Sequence, residues 1–480
     1  MVGFRNTDHT HFLCSLGGIA MQKIYWVMNR HLPVWIVALI LLSMPISLIG
    51  GGFPLRIAIM ADPHLFPQEL NPKGAAFERY VSNDRKLLAE SEAILESAIR
   101  DILKHKPDMV LIPGDLTKDA ERIAHERMVE ILEIFSRHGI PVFVVPGNHD
   151  ILNPHAFRYE GDARIRVPTI SPEEFSQLYW DFGYGQALQQ DPHSLSYLVE
   201  PVPWLWVLCI DSAIYEDNKS LGYPVVAGRI RGQTLQWILE IMEEAEKQGK
   251  RVIAQLHHGV VAHFEAQPLA FPEWLIEDWE ETATILADAG LSIVFTGHFH
   301  AQDVSLLETE QGNRIFDILT GSLVTFPNPW RMVEITEDFL VRIASHRITE
   351  IDFDTQGMPF AQYSEEMLVR GLLAQTEWLA IEFFERMGND PEEARKIAQT
   401  FVEMRVAGVG IADIAVNLLK RVLQGDQRPD FLTGLAAQVL VHSEHPVFQE
   451  VGQLLQGLAY DTFPPDNNLT ICWNTREVIQ

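Results

Sequence analysis

Five short apolar runs in this chain each close on aspartate, asparagine or histidine. "LRIAIMADPH" closes on Asp62 and His64, and "DMVLIPGD" on Asp115. "PVFVVPGNHD" closes on Asn148, His149 and Asp150. "RVIAQLHHG" closes on His257 and His258, and "LSIVFTGHFH" on His298 and His300. Apolar runs of this length, rich in β-branched residues and bounded by Gly or Pro, predict buried strands. Between them the spacing changes. From about Asp84 to His105, Leu87, Leu88, Ile94, Leu95, Ala98, Ile99 and Ile102 recur near helical period. "AERIAHERMVEILEIFSRHG" does the same and is closed by Gly139. Strand, helix, strand, helix, strand is the pattern of a layered α/β fold.

Residues 151–192 read as an irregular insertion bordering the strand ends. "SLSYLVE" and "WLWVLCID" resume the strands, "TLQWILEIMEEAEKQG" is an amphipathic helix, and residues 273–289 are helical. From Asp303 to Ile348 short strands follow with little helix between them, which suits two sheets packed face to face. The expected division is an N-terminal extension over 1–52, an α/β domain over 53–352 built as a two-sheet αββα sandwich, and a helical domain over 360–465. In the last, Leu368, Leu372, Leu379 and Phe383 fall on one helix face, and Asp390-Pro391-Glu392-Glu393 is a strong helix start. The Pro- and Asn-rich "FPPDNNLT" ends it.

The formal charge of −28 disfavours a nucleic acid polymer as partner, because such a partner needs a basic face. It does not exclude a small anionic substrate drawn in by metal ions. The three cysteines have no metal spacing, and Cys209 within "WLWVLCID" reads as an inert core thiol. No charged residue interrupts Leu32 to Gly52, and Arg30 and His31 precede it. That is the composition of an export signal or a membrane anchor, with Met21 and Met28 as alternative starts. Pro45 fits poorly within a buried core helix, the competing reading of this run. Either way the remainder is expected to work outside the cytoplasm.

The spacings carry the chemistry. Asp-x-His and His-x-His place two side chains on the same side of an extended chain. A glycine before Asp115, Asn148 and His298 lets the strand end turn and aim the next side chain over the sheet edge, where open α/β sheets bind ligands. Imidazole with carboxylate suits Mn, Fe or Zn. One ion needs about four ligands; roughly seven donors serve two ions if a carboxylate is shared, and Asp115, alone on its strand end, has oxygens for both. Two ions about 3.5–4 Å apart can hold a bridging hydroxide and grip a phosphate. Taken singly, an Asp-x-His is more often a capping carboxylate beside a packed histidine, and a Gly-Asn-His is usually a turn. All five in this order, each closing an apolar run, point to phosphoester hydrolysis.

The set resembles the calcineurin-like metallophosphoesterase superfamily over about residues 54–345. The resemblance implies that Asp62, His64, Asp115 and His300 hold one metal, and Asp115, Asn148, His257 and His298 the other. It implies that His149 is no ligand but faces the leaving group. Asp150 is expected to orient His149 or cap the next turn. His257 and His258 should point to opposite faces, so that only one binds metal; His258 is then a substrate contact or a packed side chain. His125 reads as a surface residue of its helix. The intact Asp-x-His argues against purple acid phosphatases. "GDLTKDAERIAHERM" and the order of export signal, catalytic domain and helical appendix look like bacterial class III cyclic nucleotide phosphodiesterases. The expected substrate is a small phosphodiester. A phosphomonoesterase with the same centre is the alternative, and a non-catalytic metal-binding surface module is the rival from another class. The helical appendix carries no chemical motif and reads as a docking or dimerising element.

Overall fold

Each apolar run is a strand, and the strands divide between two seven-stranded sheets. A computed structural model describes residues 53–479 except 83, 266, 387, 407, 427–430, 444–445 and 461–462. Cys14 and the apolar run over 32–52 lie outside the described residues. The strands of the two sheets are β1 Leu55–Ile59, β2 Met109–Pro113, β3 Val142–Val145, β4 Gln189–Gln190, β5 Tyr197–Val202, β6 Leu205–Cys209 and β7 Arg251–Gln255. They continue with β8 Ile293–Thr296, β9 Asp303–Glu308, β10 Arg314–Leu319, β11 Pro329–Ile335, β12 Leu340–Arg347, β13 Asn468–Cys472 and β14 Glu477–Val478. One sheet runs β14-β13-β12-β11-β1-β2-β3 and the other β9-β10-β8-β7-β6-β5-β4. The chain from Asp303 to Ile348 therefore does not form a sheet pair of its own. β9 and β10 extend one sheet; β11 and β12 extend the other, β11 pairing antiparallel with β1.

Strands β1, β2 and β3 are mutually parallel, as are β6, β7, β8 and β10. Strands covered on both faces tolerate no polar alternation, which is why β2 and β3 are apolar and buried throughout. Helices α1 Ser91–His105 and α2 Arg122–Arg137 lie between the strands of the first sheet. Helices α3 Gly232–Gln248 and α4 Trp279–Asp288 lie between those of the second, where Ile238, Ile241, Leu286 and Ala287 join Leu208, Ala254 and Val294 in one core cluster. The result is the expected two-sheet αββα sandwich. Polar ties cross between the sheets near β3. The Gln255 amide donates to the Phe143 carbonyl at 3.0 Å, and the Tyr197 hydroxyl donates to the Val144 carbonyl at 2.7 Å.

The expectations hold unevenly at the edges. The helix expected from Asp84 begins at Ser91, and a further helix over Ala75–Val81 precedes it. Residues 151–192 are ordered as a hairpin, Phe157–Glu160 with Ala163–Arg166, and a helix, Pro172–Leu178, whose Ser171 and Glu174 form a capping box. The tail does not merely end the helices. It returns as β13 to pair with β12, then turns into β14. The period-2 signal there is only five residues long and sits behind Pro464 and Pro465, so the turn chemistry masks it.

The C-terminal helices are α5 Phe360–Arg386, α6 Pro391–Glu403, α7 Ile411–Leu423, α8 Phe431–Val441 and α9 Pro446–Tyr460. Asp390 caps α6 as its sequence predicts, its Oδ1 accepting the Glu392 and Glu393 amides at 3.0 and 3.1 Å. The single apolar face read on α5 is divided. Leu368 and Leu372 pack with Ala301, Leu319 and Phe326 of the strand region, whereas Phe383 joins the core among the helices. The side chain of Leu379 lies outside the described residues. All described residues belong to one compact unit, Gly52–Gln480. Among them no helix is long and apolar enough to cross a membrane.

A buried guanidinium joins the two sheets. Arg331 on β11 donates to the carbonyls of Leu319 at 2.6 Å, Asp303 at 3.2 Å and Asp466 at 2.7 Å. Its removal takes a donor from each of three carbonyls, and a buried polar group that loses a partner costs about 1–3 kcal/mol. Arg331→Met is expected to lower stability by at least about 2 kcal/mol, read from the urea midpoint, with the strand content unchanged.

Candidate metal centre

The parallel strands of both sheets end on one edge, and all five motifs fall there. Asp62 and His64 follow β1, Asp115 follows β2, and Asn148 and His149 follow β3. His257 follows β7, and His298 and His300 follow β8. Leaving a strand sharply requires unusual backbone. Asp62, His64, Asp115, His298 and His300 all have φ between 38° and 72°. Asp and His tolerate this left-handed region better than most residues, but each instance still costs about 1–3 kcal/mol. Five of them within one cluster mark a constellation held together by its surroundings.

The glycines serve in two ways. Gly114 has φ of 86° and makes the turn expected of it. Gly147 has no positive φ; a Cβ there would strike the Asp115 carboxylate and amide. Gly147 is thus required by close approach rather than by the turn, and it keeps the β2 and β3 loops in contact.

Two groups of donors form. The nitrogen and oxygen atoms of Asp62, His64, Asp115 and His300 lie within 4.8 Å of one another, and so do those of His257, His258 and His298. His64 Nε2 and His300 Nε2 are 3.1 Å apart. Asp115 connects the groups: its Oδ2 lies 3.5 Å from His64 Nε2 and 3.3 Å from His257 Nε2, while its Oδ1 accepts the His149 amide at 3.0 Å. Asn148 Oδ1 is 3.1 Å from His257 Nε2.

The protein fixes which ring nitrogen faces inward. A carbonyl can only accept, so His257 Nδ1 donates to Pro113 O at 2.9 Å and its Nε2 faces Asp115; burial opposes the imidazolium, but the Asp115 carboxylate outweighs it and pushes the His257 pKa up to about 9. His298 Nε2 donates to Glu273 O at 3.3 Å and leaves Nδ1. Burial holds the pKa of His64 and of His298 well below the usual imidazole range, which keeps both neutral and able to donate to a cation. Burial opposes ionisation of Asp115, but the surrounding histidines, His257 first, outweigh it and hold the carboxyl well below its ordinary pKa. Imidazoles converging with carboxyl oxygens suit divalent transition cations, which would displace the proton that Asp115 holds on His257.

His257 and His258 do not point apart. The strand has ended at Gln255, and their rings lie 4.9 Å apart, both against His298. His258 has both nitrogens engaged, Nε2 with Val226 O at 3.0 Å and Nδ1 with Ser212 Oγ at 2.8 Å. Its ring is fully buried, and it walls the second group. His125 is not on the surface. It is fully buried, its Nε2 donating to Asp150 O at 2.9 Å and its Nδ1 meeting the Tyr179 hydroxyl at 2.8 Å. The insertion, through Tyr179, covers the helix face that solvent was expected to cover.

Asp150 does not touch His149 through its carboxylate. It accepts the amides of Leu116 at 3.0 Å, Thr117 at 2.9 Å and Gly147 at 2.8 Å. It therefore caps the turn after Asp115, not the one after itself, and staples the β2 loop to the β3 loop. The carboxylate that orients His149 is Asp119, whose Oδ1 takes Nδ1 at 2.9 Å; Lys118 O lies 2.5 Å from the same nitrogen. Asp119 in turn accepts from Asn153 Nδ2 at 2.9 Å and pairs with the buried Lys118 ammonium, which sits 4.5 Å over the Tyr80 ring. The sequence held one signal for this group: a Lys-Asp pair three residues past Asp115, off the strand end and so outside the pattern of the five runs.

The fold and this edge define a phosphoesterase, and the chain belongs to the calcineurin-like phosphoesterase family, whose profile matches residues 55–302. A relative is the "3',5'-cyclic adenosine monophosphate phosphodiesterase CpdA" of Haemophilus influenzae. It is 23% identical over 317 residues, covering 62% of this chain and 92% of that protein. Solved structures similar to the chain include a dimetal phosphatase from Danio rerio, at 16% identity and TM-score 0.46 over 62% of this chain and 98% of that one. Another is a purple acid phosphatase from yellow lupin (Lupinus luteus) seeds, at 13% identity and TM-score 0.38 over 62% of this chain and 52% of that one.

Removing the Asp150 carboxylate strands three buried amides. Asp150→Ala is expected to cost at least about 2 kcal/mol, measured by chemical denaturation of the metal-free protein. An unchanged midpoint would show that the staple is dispensable.

Proposed function

We propose that this chain hydrolyses small phosphodiesters, cyclic nucleotides among them, at a centre of two transition metal ions drawn from Mn, Fe and Zn. The observation that carries the reading is the Asp115 carboxylate, with one oxygen 3.5 Å from His64 Nε2 and 3.3 Å from His257 Nε2. Asp62, His64, Asp115 and His300 would hold one ion, and Asp115, Asn148, His257 and His298 the other. When bound, such ions supply Lewis acidity and draw the pKa of water toward neutrality.

The remaining work belongs to side chains. His149 stands edge-on to His64 with ring centroids 4.9 Å apart, and about a fifth of its side chain is exposed, so it borders both the centre and the entrance. Its Nδ1 is committed to Asp119 and Lys118 O, which leaves Nε2 for the substrate. Burial disfavours the imidazolium, but the Asp115 and Asp119 carboxylates outweigh burial and raise the His149 pKa. A protonated Nε2 can give its proton to the departing alkoxide as the P–O bond breaks. Preference for cyclic nucleotides over other diesters rests on the likeness to the Haemophilus influenzae protein alone. The apolar composition of residues 32–52 supports action outside the cytoplasm, either exported or held at a membrane; fractionation of tagged full-length protein tests this.

Three results are expected. Chelation abolishes turnover, and added Mn²⁺ or Zn²⁺ restores it; an enzyme indifferent to chelators overturns the reading. On a panel of cyclic nucleotides, linear diesters and monoesters, kcat/KM is highest on a diester, whereas a preference for monoesters would make it a phosphomonoesterase. His149→Ala lowers kcat by about 10²-fold or more at full metal content.

The pH dependence follows from the sign of the shift. A raised pKa keeps His149 protonated to higher pH, and activity falls as pH rises through that pKa. Asp119→Asn removes one cause of the rise. It should move the alkaline limb of the kcat profile to lower pH, and an unmoved limb would show that Asp119 does not set the acid.

A further inference from the structure

We infer that the C-terminal helices brace the second donor group, with Arg386 as a positioning residue acting through Glu273 on His298. This rests on the reading of His298 as a metal ligand. The chain of contacts is short. His298 Nε2 donates to the Glu273 main-chain carbonyl at 3.3 Å, which selects Nδ1 for the centre. Glu273 lies in a single 3-10 turn, Pro272–Trp274, a length that carries little stability of its own. The Glu273 carboxylate is gripped by both ends of the Arg386 guanidinium, Nη1 to Oε2 at 2.8 Å and Nη2 to Oε1 at 2.7 Å. Glu382, one turn earlier on α5, holds the same guanidinium at 2.9 Å. A hydrogen bond from Nη1 and an ion-pair contact from Nη2 hold the carboxylate at two points, which fixes orientation as well as distance where a single ammonium contact does not.

Other contacts of the helices converge on the same loop. Phe299, between the two histidines of the β8 motif, packs with Trp274 and Phe271 of the braced segment at 5.7 and 6.3 Å between ring centroids. Its neighbour Ala301 is buried against Leu368 and Leu372 of α5, and the Gln302 amide donates to Leu423 O at the end of α7 at 3.3 Å. The His298–Gln302 loop is therefore held from one side by the helices directly and from the other through Glu273. His298 and His300 sit at φ of 72° and 64°, conformations that persist only where the surroundings over-determine them. The helical region, which has no chemical motif of its own, supplies that constraint.

The test uses the full chain stripped of metal. Calorimetric titration with Mn²⁺ is expected to resolve two events in the parent protein. In Arg386→Ala one of the two events should lose about tenfold in affinity, the low end of what loss of an outer partner costs a metal site, with the other event unchanged. Arg386→Lys, which keeps the charge and the fold but not the two-point contact, should fall between. Hydrogen exchange of the Phe271–Ile276 amides in the metal-free Arg386→Ala protein should be faster than in the parent, a readout independent of activity. The charge-swapped pair Arg386→Glu with Glu273→Arg should recover part of both effects. Unchanged Mn²⁺ affinity in Arg386→Ala overturns the brace, and so does equal weakening of both events. A parent protein that binds no metal would instead sink the proposed function, and unchanged exchange in Arg386→Ala would then refute the brace separately.

Discussion

The Asp115 carboxylate has to be in contact with imidazoles from both sheets, and much of the architecture follows from that requirement. His64 comes from the β1 end of one sheet and His257 from the β7 end of the other. Each buried imidazole or carboxylate loses hydration, and no single strand end could offset that cost. The sandwich resolves it by bringing parallel strand ends from two sheets to a common edge, so that donors distant in sequence satisfy one another. Ties such as Gln255 to Phe143 O and Arg331 to Leu319 O keep the two sheets in the register this contact needs.

The loops bear the strain that the strands avoid. Strand interiors here are apolar and regular, whereas the five left-handed residues lie two to five positions past a strand end. Asp150 ties the Asp115 turn to the β3 loop through three amides, and Gly147 gives the room for the Asp115 carboxylate. Rigid strands that feed strained, stapled loops place side chains more exactingly than flexible loops could. His149 and Asp119 are held by the same staple, because Asp119 lies in the turn that Asp150 caps and His149 in the turn beside it.

What the sequence makes legible is whatever repeats locally. The apolar runs, their polar ends and the helices between them could be read directly, and with them the sandwich and its functional edge. Contacts that depend on where distant backbone arrives could not. The carbonyls of Pro113, Val226 and Glu273, which choose the nitrogen that each histidine presents, have no side-chain signature. His125 looks exposed in the sequence because its cover, Tyr179, comes from an insertion whose hairpin and capped helix are too short for periodicity to reveal. The divergence expected of His257 and His258 assumed extended backbone two residues beyond where it ends. Asp119 carries no clear sequence signal because it lies in a turn, where a carboxylate is ordinarily a cap.

The charge at the centre shows why the overall acidity of the chain is no obstacle to an anionic substrate. A formal charge of −28 repels a phosphoester at long range, but its surface component is screened within about 10 Å at ordinary ionic strength. Local terms decide at the edge itself. Lys118 is buried with Asp119 and Glu121 beside it, so its charge is spent on neighbours rather than on a ligand. His64 and His298 are neutral through burial. The inner donors thus set the Asp62 and Asp115 carboxyls among buried imidazoles, of which His257 is pushed up to about 9 by Asp115. Such a set is complete only with cations of higher charge than its own carboxylates. Bound cations would reverse the local sign, and the desolvation that makes the donor cluster costly would then favour a phosphate.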